Sequence, residues 1–205
     1  MLALIIDVGA PLLFWSEGWQ LMPAHFAERF GLIMIIALGE SIVAIGVGSH
    51  EVVDLGVVAT ATVGIGIAAA FWWLYFDVIS WLAVRRLLEA EPGREQNELA
   101  RDAYGILHFP IVAGIVFAAL VGGVALYLLG HVAFRWRLVH TLSRHRLLCA
   151  AVLVALFPLA VEIPALAIVA VVLLVLLVLV VYEVTRFAET RERVRHELAG
   201  GRVAQ

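Results

Sequence analysis

The chain has 205 residues, of which 63% are hydrophobic, against roughly 45 to 50% apolar usage in soluble domains, and its mean hydropathy is +1.01. This composition excludes an ordinary soluble fold and makes a lipid bilayer the natural solvent. All fourteen basic residues are arginine and the formal net charge is -3, so the chain lacks an overall basic field and we expect no nucleic acid as a partner.

Apolar stretches long enough to cross a bilayer follow one another along the chain, since a span needs about 20 residues. Two shorter stretches, residues 1–14 and 147–157, accompany them. The first lacks a basic n-region and a cleavage site, so we interpret it as the end of a helix and not as a signal peptide. Pro158 and Pro164 bracket a turn that predicts a tight hairpin. The clear candidates for complete spans are residues 30–48, 55–82, 104–130 and 164–182.

These stretches predict an all-α fold, a polytopic transmembrane bundle of about five to six helices over residues 1–183. Residues 184–205 are charged and carry five arginines. Because short cytoplasmic segments collect arginine and lysine, we expect this tail to be cytoplasmic. The protein is predicted to lie in the cell membrane as a multi-pass protein.

Arginine placement conflicts with a single crossing by residues 104–130. Residues 85–101 hold four arginines and residues 131–146 hold another four. Both segments can be cytoplasmic only if the chain between them crosses an even number of times. Yet 27 residues give about 40 Å of helix, which is enough for one span and too short for two. The sequence therefore predicts that a segment is missing, re-entrant or inverted here.

Several motifs resemble the low temperature requirement protein A (LtrA) family. Residues 25–31 (HFAERFG) and 36–43 (IALGESIV) are similar to that family's characteristic helix, and they form the most specific part of the resemblance. Similar segments follow in the same order, at 75–77 (YFD), 85–86 (RR), 101–104 (RDAY), 107–110 (LHFP), 112–114 (VAG) and 122–131 (GGVALYLLGH).

The resemblance also implies two departures from the family. Members are longer than this chain, which therefore looks like a C-terminal half. Members also carry a pair of helices between the segments that match residues 112–114 and 122–123, whereas these segments nearly abut here. Together with the arginine conflict, this predicts an internal deletion.

Ionisable side chains within the predicted spans mark a candidate cavity, because each costs roughly 2.5 to 3.5 kcal/mol at the centre of a helix in a bilayer. Glu40 lies about 16 Å along its helix from Arg29, close to the midplane, and Ile33 and Ile36 complete one helical stripe between them. We predict a polar cavity centred on Glu40 and open to the cytoplasm. From its mouth to its end the cavity comprises Glu28, Arg29, Arg101, Tyr104, His108, Asp77, Glu40 and Ser41.

Two functions remain open from the sequence. A carboxylate and a histidine in one cavity favour transport or sensing of a small solute or proton. Alternatively, buried polar groups act as interhelical hydrogen bonds worth about 0.6 to 2 kcal/mol each, which is typical of a scaffold or a low-temperature stress-adaptation protein without transport. An enzyme is the least favoured class, because hydrolase motifs, nucleotide loops and metal-ligand spacings are absent from the sequence, and we expect no cofactor or metal. Besides the bilayer, the expected partners are a second copy or the missing N-terminal half.

Overall fold

The computed structural model describes residues 21–48, 54–77, 79–117, 121–188 and 192. Within these ranges all regular structure is helical, which confirms the predicted all-α fold class. The described helices are α1 (Pro23–Gly48), α2 (Leu55–Phe76), α3 (Ile79–Glu89), α4 (Arg94–Ala100), α5 (His108–Val116), α6 (Val121–Val139), α7 (Arg144–Leu156) and α8 (Ala165–Arg186). A π-helical segment (Arg101–Ile106) joins α4 and α5, and a 3-10 turn (Pro158–Val161) follows α7.

Three helical stretches in the described part are long and apolar enough to cross a membrane: Leu55–Glu89, Arg94–Val116 and Ala165–Arg186. Within each, large apolar side chains such as Leu55 and Leu174 remain exposed, as expected of helices whose outer faces meet lipid instead of water. The short stretch predicted at residues 1–14 lies outside the described residues, and so does most of the predicted tail.

The apolar region 104–130 is a helical hairpin and not a single span. Asp102 on the π-helical segment pairs with Arg137 on α6, with an Oδ2–Nη2 distance of 2.8 Å. Farther along, a Cβ built on Gly114 would lie 2.5 Å from the backbone nitrogen of Tyr127. As the chain runs forward from the π-helical segment into α5, its contacts on α6 shift backward from Arg137 to Tyr127. The two helices are therefore antiparallel. The stretch that was a candidate for one long span therefore holds two antiparallel helices, α5 and α6.

The two arms of this hairpin are long because they extend beyond the apolar run. The first arm, Arg94–Val116, has 23 residues, or about 35 Å of helix. The second arm, α6, has 19 residues, or about 28 Å. The predicted length counted only the apolar residues 104–130 and left out the charged end of each arm. For this reason the stretch had seemed too short for two helices.

The hairpin brings the arginine-rich segments to the same end of the bundle. Arg86 on α3 donates from Nε to the Leu138 carbonyl oxygen at the end of α6, at 3.0 Å. Phe30, which follows Arg29 on α1, contacts the ring of Tyr104 at a centroid distance of 5.2 Å. The arginine conflict is thereby removed, and an internal deletion is not required to explain it.

The second predicted hairpin, between α7 and α8, is confirmed. Helix α7 ends at Leu156, Pro158 opens the 3-10 turn and Pro164 directly precedes α8. At the open end of this hairpin, Arg146 on α7 meets Glu183 on α8. The hairpin therefore returns the chain to the arginine-bearing end.

Pro110 accounts for the π-helical segment. Proline has no N–H, and its ring clashes with the carbonyl four residues earlier, here Ile106. The helix widens before this point, where the Leu107 N–H donates to the Asp102 carbonyl oxygen, five residues back, at 3.0 Å. The extra residue in this turn positions Tyr104 against His108, with the rings stacked at 5.5 Å. Such local widening is frequent at functional sites.

Candidate functional site

A cleft of about 490 Å³ opens between α1, α2, α3 and the π-helical segment. Its lining is mostly apolar, and its polar members are Glu28, Tyr75, Ser80 and Tyr104. The volume falls within the range of roughly 300 to 1,000 Å³ that is typical of small-molecule sites. Glu28 is exposed and forms a weak pair with His25, at 3.4 Å, so it is the charged group of the cleft that a solute can reach.

A buried group of three side chains forms the deep wall of this cleft. Tyr75 and His108 share a hydrogen bond between Oη and Nε2 at 2.9 Å, and Tyr104 stacks on His108. Phe30 and Phe134 contact the edge of the same imidazole. All three residues of the group are at most 2% exposed. The Tyr104 hydroxyl has no hydrogen-bond partner among the described residues.

A second polar layer lies behind this group, on α6. Tyr127 donates its hydroxyl to the Phe71 carbonyl oxygen at 2.6 Å. His131 lies 3.1 Å through Nδ1 from the Tyr127 carbonyl oxygen, and because a carbonyl oxygen only accepts, Nδ1 carries the proton. The ring of Tyr75 meets that of His131 edge-on at 5.9 Å. The two layers therefore form one continuous aromatic and imidazole column across α2, α5 and α6.

A buried ion pair closes the arginine-bearing end of the bundle. Arg146 donates to both carboxylate oxygens of Glu183, at 2.6 and 2.7 Å, and also to the Leu74 carbonyl oxygen at 3.2 Å. His145 Nε2 lies 2.9 Å from the same carboxylate. The pair thus ties α2, α7 and α8 together. The pair was not predicted from the sequence, because Arg146 was placed in the segment between two spans.

The structure brings together only part of the predicted cavity. Glu28 and Tyr104 line the cleft, and His108 lies directly behind it. Arg101 instead pairs with Asp102 at 2.8 Å. Asp77 is half-buried just after α2, where its backbone N–H donates to the Trp73 carbonyl oxygen. Arg29 is exposed on α1.

The structure places Glu40 apart from this cleft. Glu40 is exposed and lines neither this cleft nor a second cavity of about 300 Å³ that Ser41 and Thr60 line. The buried stripe of α1 runs through Met34, and Glu40 lies six residues on, about 120° around the axis from it. Ser41 donates its hydroxyl to the Leu38 carbonyl oxygen at 2.7 Å.

No group of three or more histidine, cysteine, aspartate or glutamate side chains in the described ranges is arranged to hold a metal ion. The polar chemistry of these residues is that of tyrosine and histidine in an apolar surrounding, together with buried and surface ion pairs.

These features define a helical membrane protein: stretches able to cross a bilayer, apolar outer faces, and arginines gathered at one end. The chain belongs to the bacterial low temperature requirement A protein (LtrA) family, whose model matches residues 1–120. This confirms the family resemblance read from the motifs. The match ends between α5 and α6, so the likeness at residues 122–131 stays a prediction.

A relative supports the same family. The chain is 30% identical over 132 residues to the uncharacterized protein RA0937 of Rhizobium meliloti (strain 1021), and the match covers 58% of this chain and 31% of that protein. The chain thus matches well under two thirds of that relative's length. No solved structure matches the chain.

Proposed function

We propose that the protein is a multi-pass membrane protein that admits a small solute or a proton to the cleft between α1, α2 and α3. Its polar centre is the group formed by Tyr75, His108 and Tyr104, in place of Glu40. The positive-inside rule assigns the arginine-bearing end, and with it the tail, to the cytoplasm. The cleft then opens on the cytoplasmic side.

The observation that carries this proposal is the Tyr75–His108 hydrogen bond behind the cleft wall. Polar groups inside a membrane bundle are costly, and they commonly mark pathways for ions or protons. An imidazole and a phenolic hydroxyl each both donate and accept hydrogen bonds, so the Tyr75–His108 pair offers a path along which a proton can pass. The unpartnered Tyr104 hydroxyl adds a cost of about 1 to 3 kcal/mol, a cost that a role in ligand or proton binding would explain.

Reconstitution into liposomes that contain a pH-sensitive dye tests the proposal. We expect the unmodified protein to dissipate an imposed pH gradient faster than protein-free liposomes. His108→Asn removes the titrating imidazole and returns the rate toward that of protein-free liposomes, whereas His140→Asn, at an exposed histidine, leaves it unchanged. Equal rates for the two variants would contradict the assignment of His108. Uptake of a panel of radiolabelled small solutes is measured with the same variants, so that transport of a solute other than a proton is also detected.

A non-transporting scaffold is the second candidate, and the buried Arg146–Glu183 pair favours it. That pair joins three helices, as expected of groups that hold a bundle together. In this case the protein has no catalytic or transport activity, and its partners are the bilayer and a second copy of the chain or the remaining half of the family fold. Absence of flux for protons and for every solute tested would favour this alternative.

A further inference from the structure

The N-terminus of α7 has an unusual concentration of positive charge. Its first turn contains Arg144, His145 and Arg146, with no acidic residue. The N-terminus of a helix already carries about half a positive charge, so anionic groups are favoured there and cations are disfavoured. A 13-residue helix whose first turn holds two arginines and no acidic residue therefore favours an anion at its N-terminus.

Glu183 compensates only part of this charge. It engages Arg146 and His145, but Arg144 is exposed and has no ion pair among the described residues. Arg135, near the end of α6, donates from Nε to the Thr141 hydroxyl at 3.4 Å and likewise has no carboxylate partner in the described ranges. Two guanidinium groups and a helix terminus thus border the α6–α7 loop, and Glu183, which is near enough to Arg135 to favour its charged form, pairs directly with neither group.

Ser143 provides a second, independent indication of a ligand at this terminus. It is the N-cap residue of α7, but its side chain makes no capping hydrogen bond. The residue is 3% exposed, and its hydroxyl has no partner among the described residues. A hydroxyl, the free N–H groups of a first turn and nearby guanidinium groups are the donors that commonly bind phosphate oxygens.

Exposed apolar side chains surround these donors. Trp136, next to Arg135, is 55% exposed, and Leu142 and Leu148, on either side of the α7 N-terminus, are 58% and 66% exposed. Tryptophan beside arginine is typical of the membrane interface, where headgroups and acyl chains meet. A soluble phosphate would leave this apolar surface uncovered, whereas a phospholipid covers it with its acyl chains.

We propose that the N-terminus of α7, with Arg144, Arg135 and Ser143, binds the phosphate of an anionic phospholipid. The guanidinium groups and the helix terminus bind the headgroup, and Trp136 and Leu142 contact the upper acyl chains. The site is separate from the cleft between α1, α2 and α3, so it does not depend on the proposed function.

Lipid binding to the whole chain, measured by native mass spectrometry from detergent micelles, tests this site. We expect phosphatidylglycerol to bind more tightly than phosphatidylcholine. One arginine near a membrane surface is worth about 1 kcal/mol, so Arg144→Gln is expected to reduce this preference about fivefold, and Arg135→Gln by a similar factor. Arg144→Lys retains most of the preference because it keeps the charge. Arg94→Gln is the matched control, since it removes the same charge from an exposed arginine that Glu98 pairs at 2.8 Å.

Three results would overturn the proposal. The first is an equal preference for the two lipids in the unmodified protein. The second is an equal loss in Arg144→Gln and Arg94→Gln, which would show a general effect of surface charge. The third is stabilisation by inorganic phosphate alone that matches the effect of phosphatidylglycerol, which would assign the site to a soluble anion. Melting temperatures in lipid-free detergent micelles establish that each variant is folded, and Arg135→Gln provides an independent test if Arg144→Gln is not.

Discussion

Replacement of Glu183 by leucine tests the buried ion pair that joins α2, α7 and α8. The carboxylate is 8% exposed and accepts two hydrogen bonds from Arg146, whose side chain is 4% exposed. Removing it leaves a buried guanidinium with one remaining bond, to the Leu74 carbonyl oxygen. Loss of one partner from such a pair typically costs about 3 to 5 kcal/mol. We expect the free energy of unfolding of Glu183→Leu to fall by that amount.

Reversible unfolding in mixed micelles of a mild detergent and sodium dodecyl sulfate, followed by circular dichroism, measures this loss. Glu98→Leu is the matched control, because its side chain is 38% exposed and pairs with Arg94, and such pairs contribute about 0.3 to 0.5 kcal/mol. The double variant Arg146→Met/Glu183→Leu should recover much of the loss, since no buried charge is left unpaired. An equal cost for Glu183→Leu and Glu98→Leu would refute the reasoning.

Two further substitutions test the packing and the column of buried polar groups in the same unfolding assay. Gly114→Ala should destabilise by about 1 to 3 kcal/mol, because the added Cβ would lie 2.5 Å from the Tyr127 backbone nitrogen. Gly39→Ala, where nothing lies within 4 Å, should be neutral or slightly stabilising; equal effects would contradict the close approach of α5 and α6. Tyr75→Phe should cost about 1 to 3 kcal/mol, since the Nε2 of His108 loses its buried partner; a neutral effect would show that this hydrogen bond is not formed.

The helical class follows from composition, but the number of crossings does not. Spans were measured by their apolar residues, and Arg94 and Asp102 therefore fell outside the predicted span. In the structure they belong to a continuous helical arm, because Asp102 is neutralised by Arg137 on the facing helix. A pair separated by 35 residues carries no local signal. Arginine counts did reveal that the single crossing was inconsistent.

The candidate site was predicted in part. His108 and Tyr104 were assigned to the cavity as polar groups within a predicted span, whereas Tyr75, the partner of His108, was not. The Arg146–Glu183 pair could have been predicted from the hairpin. Arg146 lies at the start of one apolar run and Glu183 at the end of the next, so a hairpin between the two runs makes them neighbours. Which side of α1 is buried could not be predicted, since every position between Arg29 and Glu40 is apolar or glycine.

Cysteine accessibility tests most directly whether the α5–α6 hairpin returns the chain to the arginine-bearing end. In a Cys149→Ala background, single cysteines replace Glu98, Leu142, Asp54 and Glu162, and each is labelled with a membrane-impermeant maleimide in right-side-out and inverted vesicles. The hairpin predicts that positions 98 and 142 are labelled from one side, and positions 54 and 162 from the other. Labelling of positions 98 and 142 from opposite sides would contradict it, because the chain between them would then cross the membrane once.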